Sequence, residues 1–369
     1  MLKPGGKAAF VVVIGKKGTK AGATAKTVMV CLVLAIGGSA SAQRIWISRG
    51  ELAELPTTGQ AWQRLKAQAD RSAGAPNLSD QNQKNNVYVL AKALVYARIG
   101  EEHYRMEVIS QCMRAIGTEQ GGRTLALGRE LAAYVIAADL VGLPPDKDCQ
   151  FRTWLRKVLT EMLHGKTLQS THERRPNNWG THAGASRAAV AAYLGDRAEL
   201  ERTALVFRAW LGDVEAEYSG FEFGELSWQC DPSQPKGVNP KGCQKDGHSI
   251  DGVLPDDQRR SSGGFTWPPP KEGYTYGALQ GAIVQAVILH RAGYDTFRWG
   301  DKALLRAYRW LRTEADYEPT GDDTWQLPLV DHFYGTDFWD GTPTRCGKNM
   351  CWTDWSHAKS NHGGLASPP

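Results

Sequence analysis

Residues 175–196 read RPNNWGTHAGASRAAVAAYLGD, and the stretch divides into two halves of opposite character. The first half, to His182, is a polar loop holding Asn177, Asn178, Trp179 and His182. From Ala183 to Leu194 nearly every residue is small, and Gly195-Asp196 ends the run. A helix with alanine on every side has no polar face to offer water, so it must be buried. The polar cluster is therefore attached to a rigid internal element, which is how a catalytic constellation is usually held.

The same rhythm runs outward in both directions. Apolar residues recur at helical spacing over 60–70, 87–99, 104–116, 123–141, 151–163, 200–211, 276–292 and 302–314. Gly100, Gly117 and Gly142 stand where helices stop. No strand-like alternation lies between these segments. Small residues gather on the faces expected to be innermost: Ala132, Ala133 and Ala137 in one helix, and Ala183, Ala185, Ala188, Ala189, Ala191 and Ala192 in another. Such faces let helices approach closely, which suits the inner ring of a toroid. The expectation is an all-α protein, an (α/α) toroid or incomplete α/α barrel of helical hairpins. An ordinary helical bundle is the alternative.

Two stretches break the rhythm. Residues 218–273 have no helical period and contain Cys230, Cys243 and Pro268-Pro269-Pro270. They are rich in aromatics (Phe221, Phe223, Trp228, Phe265, Trp267), which disordered segments lack, so this long loop is expected to be functional. The tail from Tyr317 is similar, with His332, Tyr334, Trp339, Trp352, Trp355 and His357, and is expected to fold back on the helical body.

Residues 1–42 stand apart. Lys16, Lys17, Lys20 and Lys26 precede an apolar run from Val28 to Ile36, and Ala40-Ser41-Ala42 has the form of a signal-peptidase site. The expectation is an exported protein, periplasmic or secreted, in which 43–369 form a single domain. No later segment approaches the length of a membrane span. The net charge of +5 loses its meaning with the leader, because its six lysines leave with it and 38 basic residues then face 39 acidic ones. Charge therefore gives no reason to expect nucleic acid as a partner. Of seven cysteines, six remain after Cys31 goes, an even number that favours disulfides in an exported chain. Pairs Cys230–Cys243, Cys346–Cys351 and Cys112–Cys149 are expected, among 15 possible connectivities. No pair has the Cys-x-x-Cys spacing of a structural zinc site.

Considered singly, the polar residues beside the inner helices have ordinary readings. Asn178 can be a helix N-cap, His182 a satisfied core histidine, Arg260 a surface ion-pair member and Tyr274 a packing residue. Together they match the needs of one reaction, β-elimination at a uronic acid. That reaction must neutralise the carboxylate, remove the C5 proton and protonate the departing C4 oxygen. Asn and His can stabilise the charge that develops on the carboxylate. A tyrosine near an arginine can act as base and then as acid.

These residues also carry a resemblance. RPNNWGTHAGASRAAVAAYLGD is similar to the Asn-bearing inner-helix segment of the alginate lyase superfamily, and DGVLPDDQRR followed by EGYTYGALQ resembles its Leu-Pro, Arg, Tyr-x-x-x-Ala-Leu-Gln pattern. The resemblance implies a toroid that cleaves a β-1,4-linked polyuronate, mannuronan of alginate or glucuronan, without a metal or other cofactor. It implies Asn178 as carboxylate neutraliser, Arg260 as active-site arginine and Tyr274 as base and acid, with Tyr276 the rival tyrosine. Trp179 stands where the mannuronate lyases have His, and four residues after Asn178 His182 would share its face of a helix. An anionic polymer further calls for aromatic platforms and arginines, for which Trp179, Trp267, Arg174, Arg175, Arg187, Arg259 and Tyr276 are candidates. Two other classes stay open. An (α/α) glycoside hydrolase would use paired carboxylates such as Glu222, Glu225, Asp256 or Asp257. A non-catalytic polysaccharide-binding protein would need the aromatic cleft but not Tyr274.

Overall fold

The helices around the centre of this protein are buried on nearly all sides, and most helices outside them are buried on one. A computed structural model describes residues 44–358; the expected leader, 1–42, lies outside the described residues. In chain order the elements are α1 (Arg49–Glu54), α2 (Gly59–Ala69), α3 (Asn85–Ile99), α4 (Glu102–Ala115), α5 (Thr124–Val141), α6 (Pro145–Thr160) and α7 (Leu168–Arg174). They continue with α8 (Asn178–Leu194), α9 (Arg197–Trp210), a hairpin of β1 (Gln244–Lys245) and β2 (His248–Ser249), α10 (Pro255–Ser262) and α11 (Gly273–Arg291). The last are α12 (Trp299–Thr313), α13 (Gln326–Tyr334) and α14 (Thr353–Ser356). With 56% helix against 2% strand, the fold is all-α, an (α/α) toroid. The hairpin pairs Gln244 with Ser249 and Lys245 with His248 across Asp246-Gly247, both at positive φ, as a tight two-residue turn demands.

The inner row is α3, α5, α8 and α11, each packed on the next. In α8 every residue from Asn178 to Ala191 except Trp179 is buried. By contrast α6 buries only Phe151, Trp154, Leu155, Val158 and Leu159, one stripe of an otherwise polar helix. The inner helices run in the same direction. Gly128 and Ala132 of α5 meet Ala183 and Ser186 of α8, the Ser186 hydroxyl donating to the Gly128 carbonyl at 2.8 Å and accepting from Ala132 N at 3.0 Å. Gly281 of α11 meets the Thr181–His182 backbone, and Gln285 lies beside Gly184. All the inner N-termini therefore face one end, and the positive ends of their dipoles face it with them.

Glycine makes this spacing possible. A Cβ on Gly281 would lie 2.4 Å from His182 N and 2.4 Å from the Thr181 carbonyl carbon, and neither backbone atom can rotate away. Alanine at 281 is favoured over glycine by about 1 kcal/mol of helix propensity. The overpacking should outweigh it, so Gly281→Ala is expected to lose about 1–2 kcal/mol net, read as a lower urea midpoint at unchanged m-value.

The structure differs from the sequence reading in several places, and α1, α13 and α14 are helices where none was expected. Helix α8 begins at Asn178 rather than near Ala183, because Asn177 caps it by accepting from Trp179 N at 3.1 Å. Asn178 is thus not the cap. The DDQRR stretch, read as irregular, is α10. Pro255 stands at its start, Asp256 and Asp257 in its first turn and Arg259 and Arg260 in its last, an order that complements the helix dipole. A short capped helix, α7, precedes α8. Finally, Cys230–Cys243 and Cys346–Cys351 are bonded as expected, but Cys112 is a free thiol buried against the Tyr134 carbonyl, so the Cys112–Cys149 pair is not formed. No helix among the described residues is long and apolar enough to cross a membrane.

Candidate active site

The N-terminal turns of α8 and α11 supply the residues that the sequence singles out, and α10 ties the two together. Asp256 accepts from Asn177 Nδ2 at 2.7 Å and from Gly224 N at 3.0 Å, and its neighbour Asp257 accepts from Asn178 N at 3.1 Å. At the other end of α10 the Ser261 hydroxyl donates to Glu272, the residue that caps α11 by accepting from Tyr274 N at 3.1 Å. Helix α10 is therefore a strap between the two inner N-termini.

Tyr274 stands in the first turn of α11 with 47% of its surface exposed, the most exposed tyrosine among the large side chains here. The Arg260 guanidinium lies over its ring, 4.8 Å from the centroid. On the neighbouring inner helix, Asn178 and His182 are one turn apart on α8 and both buried. Among the described residues, Asn178 Oδ1 and both His182 ring nitrogens have no hydrogen-bond partner, an expensive condition for buried groups and one that suits them to receive a ligand. Burial holds His182 well below the usual histidine range, and Arg129 and Lys348 push it further. His182 is therefore a neutral imidazole. It can offer a hydrogen bond to a carboxylate but no charge.

Arg129, Lys348 and Asp323 are part of this neighbourhood, and sequence reasoning passed over all three. Arg129 sits within the helical run LGRELAAY, where an arginine reads as a surface residue, and Lys348 lies in the tail. The usable signal was the six-residue Cys346–Cys351 ring, which offers Gly-Lys-Asn to whatever it packs on. Asp323 accepts from Gln280 Nε2 at 2.7 Å, and burial pushes its carboxyl up to about 7, with Asp322 adding to the rise and Gln280, Lys348 and Arg129 opposing it. A carboxyl raised in the folded state binds a proton there that the unfolded chain releases. Folding is then weakened as pH climbs from about 4 to about 7, by up to about 4 kcal/mol at full ionisation. Asp323→Asn, which keeps an acceptor for Gln280, should raise the melting temperature clearly at pH 8 and little at pH 5. An equal gain at both pH values would contradict the shift.

The other expected contacts divide. Arg175 and Trp179 are partly exposed beside α8, and Trp267 stacks on His248 with centroids 4.2 Å apart. Tyr276 corrects the expectation: it is wholly buried and its hydroxyl donates to the Tyr317 carbonyl at 2.7 Å, so it faces the core rather than a substrate. Arg259 is committed to Asp256 by two hydrogen bonds, at 3.0 and 2.8 Å. Arg187 is buried and paired with Glu199 and Glu173. The carboxylates a hydrolase would use are engaged as well. Asp256 and Asp257 hold α8, Glu222 pairs with Arg174 at 3.3 Å, and Glu225 accepts from Ser227. A groove of about 640 Å³ lies nearby between Glu173, Arg174, Arg202 and Tyr218, and none of Asn178, His182 or Tyr274 lines it.

The family model described as alginate lyase matches residues 99–220, from the end of α3 to the start of the aromatic loop. Among curated proteins no sequence match was found. On a helical toroid, that family match makes the protein a polysaccharide lyase. The match covers about a third of the chain and supports a place in the alginate lyase superfamily.

Proposed function

We propose that the protein cleaves a β-1,4-linked polyuronate, mannuronan of alginate or glucuronan, by β-elimination, with Tyr274 as both base and acid. The observation that carries this reading is the half-exposed Tyr274 under the Arg260 guanidinium at the start of α11, the helix packed against the α8 turn whose Asn178 Oδ1 and His182 ring nitrogens lack a hydrogen-bond partner among the described residues. Asn178 and His182 form the floor beneath the uronate carboxylate and stabilise the charge that spreads onto it as C5 loses its proton. The Tyr274 oxygen takes that proton. The C4–O bond then breaks with its electron pair, the departing oxygen takes the proton back from Tyr274, and a C4=C5 double bond remains. In mannuronate and glucuronate the C5 hydrogen and C4 oxygen lie on the same face, so one tyrosine serves both steps. Trp179, Trp267 and Arg175 are the wall against which neighbouring sugars lie. Export belongs to the same proposal, with residues 1–42 as cleaved leader and 43–369 as one domain; the Cys230–Cys243 and Cys346–Cys351 disulfides support it.

The test is incubation with polymannuronate and with glucuronan while ultraviolet absorbance is followed. Elimination produces a conjugated unsaturated uronate at each new non-reducing end, and hydrolysis does not. Absorbance that rises with new reducing ends is expected. New reducing ends without absorbance would overturn the mechanism, and neither signal on any polyuronate would favour a binding protein.

A further inference from the structure

A neutral His182 leaves the floor of the site without a positive charge, and two cations outside the motif lie beside it. Arg129 follows Gly128, whose α-carbon abuts the His182–Ala183 backbone. Lys348 arrives from the opposite side of the ring. The loop closed by Cys346–Cys351 bridges the two ends of the inner row: Asn86 Nδ2 of α3 donates to the Lys348 carbonyl at 2.6 Å, and Asn349 Nδ2 donates to the Gln280 carbonyl of α11 at 3.1 Å. Gly347 N closes a turn onto the Met350 carbonyl, and Asn349 and Met350 are fully buried, which leaves Lys348 as the residue the loop presents.

Both cations are partly exposed, and among the described residues neither forms an ion pair. Lys348 Nζ donates to the neutral Asn82 side chain at 3.0 Å, and Arg129 reaches only the Gln81 carbonyl, at 3.4 Å. Burial and the neighbouring Arg129 hold Lys348 below the usual lysine range, with Asp322 and Glu130 opposing. Glu130 is itself pushed well above the carboxylate range by burial, and Asp323 up to about 7. Asp322 lies beside both cations, which repel each other. An anion between them relieves that repulsion.

We propose that Arg129 and Lys348 form a subsite for a uronate carboxylate, and that the disulfide-closed loop 346–351 is what delivers Lys348 to it. The subsite rests on the polyuronate reading above, and supplies the charge that neutral His182 cannot. Charge-assisted hydrogen bonds from Arg and Lys are the strong ones, so losing either should cost about ten- to a hundredfold in affinity.

The experiment measures binding of polymannuronate, and of its methyl ester, to Tyr274→Phe protein carrying in addition Lys348→Gln, Lys348→Arg, Arg129→Gln, or Cys346→Ser with Cys351→Ser. Lys348→Gln and Arg129→Gln should weaken binding of the acid polymer by the stated factor and leave the ester unaffected. Lys348→Arg should restore most of the loss, and the double cysteine variant should behave like Lys348→Gln although its lysine remains. Unchanged binding of the acid polymer by Lys348→Gln and Arg129→Gln would overturn the subsite, as would equal losses for acid and ester, which would mark a structural role. Unchanged binding by the cysteine variant would overturn the delivery by the loop. If binding depends on Lys348 but the intact protein never yields unsaturated uronate, the elimination reading fails and the subsite stands.

Discussion

Tyr274→Phe will lower turnover of a polyuronate by at least about 10³-fold while leaving its affinity for the polymer within a few-fold of the parent. The proposed mechanism uses one oxygen twice, and loss of a positioned acid or base typically costs 10²–10⁴ in rate. The change removes a single oxygen from a side chain that is half exposed, so stability should hardly move. Tyr276→Phe is the matched control. Its hydroxyl is buried and bonded to the Tyr317 carbonyl, so its loss should cost about 1 kcal/mol of stability and leave turnover near normal. Initial rates of unsaturated uronate formation, set beside binding measured calorimetrically, separate the two. If Tyr276→Phe abolished turnover and Tyr274→Phe did not, the assignment of the base would be reversed.

The largest effect on stability should come from Arg187→Ala, at about 3–5 kcal/mol. Arg187 is 1% exposed, and its guanidinium joins three elements: Nε donates to Glu199 Oε1 of α9 at 2.6 Å, and Nη1 donates to Glu173 Oε1 of α7 at 3.0 Å and approaches His172 Nδ1 at 3.4 Å. Truncation leaves Glu199 in a largely buried position with Gln169 as its side-chain hydrogen-bond donor, and an uncompensated buried charge is the costly half of a broken pair. Arg202 still holds Glu173, so Glu199 should carry most of the penalty. Arg187→Met combined with Glu199→Gln should therefore recover a substantial part of the loss, because it removes the charge with its partner. Denaturant midpoints at unchanged m-value read both effects. A loss below about 1 kcal/mol for Arg187→Ala would show that the cluster is solvated and the pairing inconsequential. Turnover of the folded fraction should be near normal, since Arg187 faces away from Tyr274 into the cluster behind α8.

Arg187 also shows where sequence reading reaches its limit. On the sequence it is one more arginine close to Asn178 and His182, and a polyanionic substrate makes every such arginine a candidate. Its i+9 offset from Asn178 places it two and a half helical turns further on, at the far side of α8 from the open end. What decides its role is the arrival of Glu173 and Glu199 from α7 and α9, and neither approach is written in local spacing. Arg259 and Arg260 make the same point with adjacent residues. One turns to Asp256 within its own helix and the other lies over Tyr274, a choice set by how α10 lands on α11.

The order of the longer helices, the buried inner faces and the two local disulfides were legible because they depend on periodicity, on glycine stops and on short loops, whereas the short helices α1, α7, α10, α13 and α14 carry too little periodicity to be read. The start of α8 was missed because capping by Asn177 overrides the loop-like composition of NNWGTH. The same correction brought Asn178 and His182 onto one helical face, which their spacing allowed but could not require.

The sequence alone thus determined the class of fold and the segment around which the site is built, since a helix made of alanine can only be internal and the polar residues at its start must go where it goes. Only the tertiary structure decided the electrostatics of that site. It buried His182 and made it neutral, spent Arg187 and Arg259 on internal ion pairs, and brought Arg129 and Lys348 together from positions 219 residues apart in the chain. Charge interactions are set by distance and burial, and both appear only when the ring of helices closes.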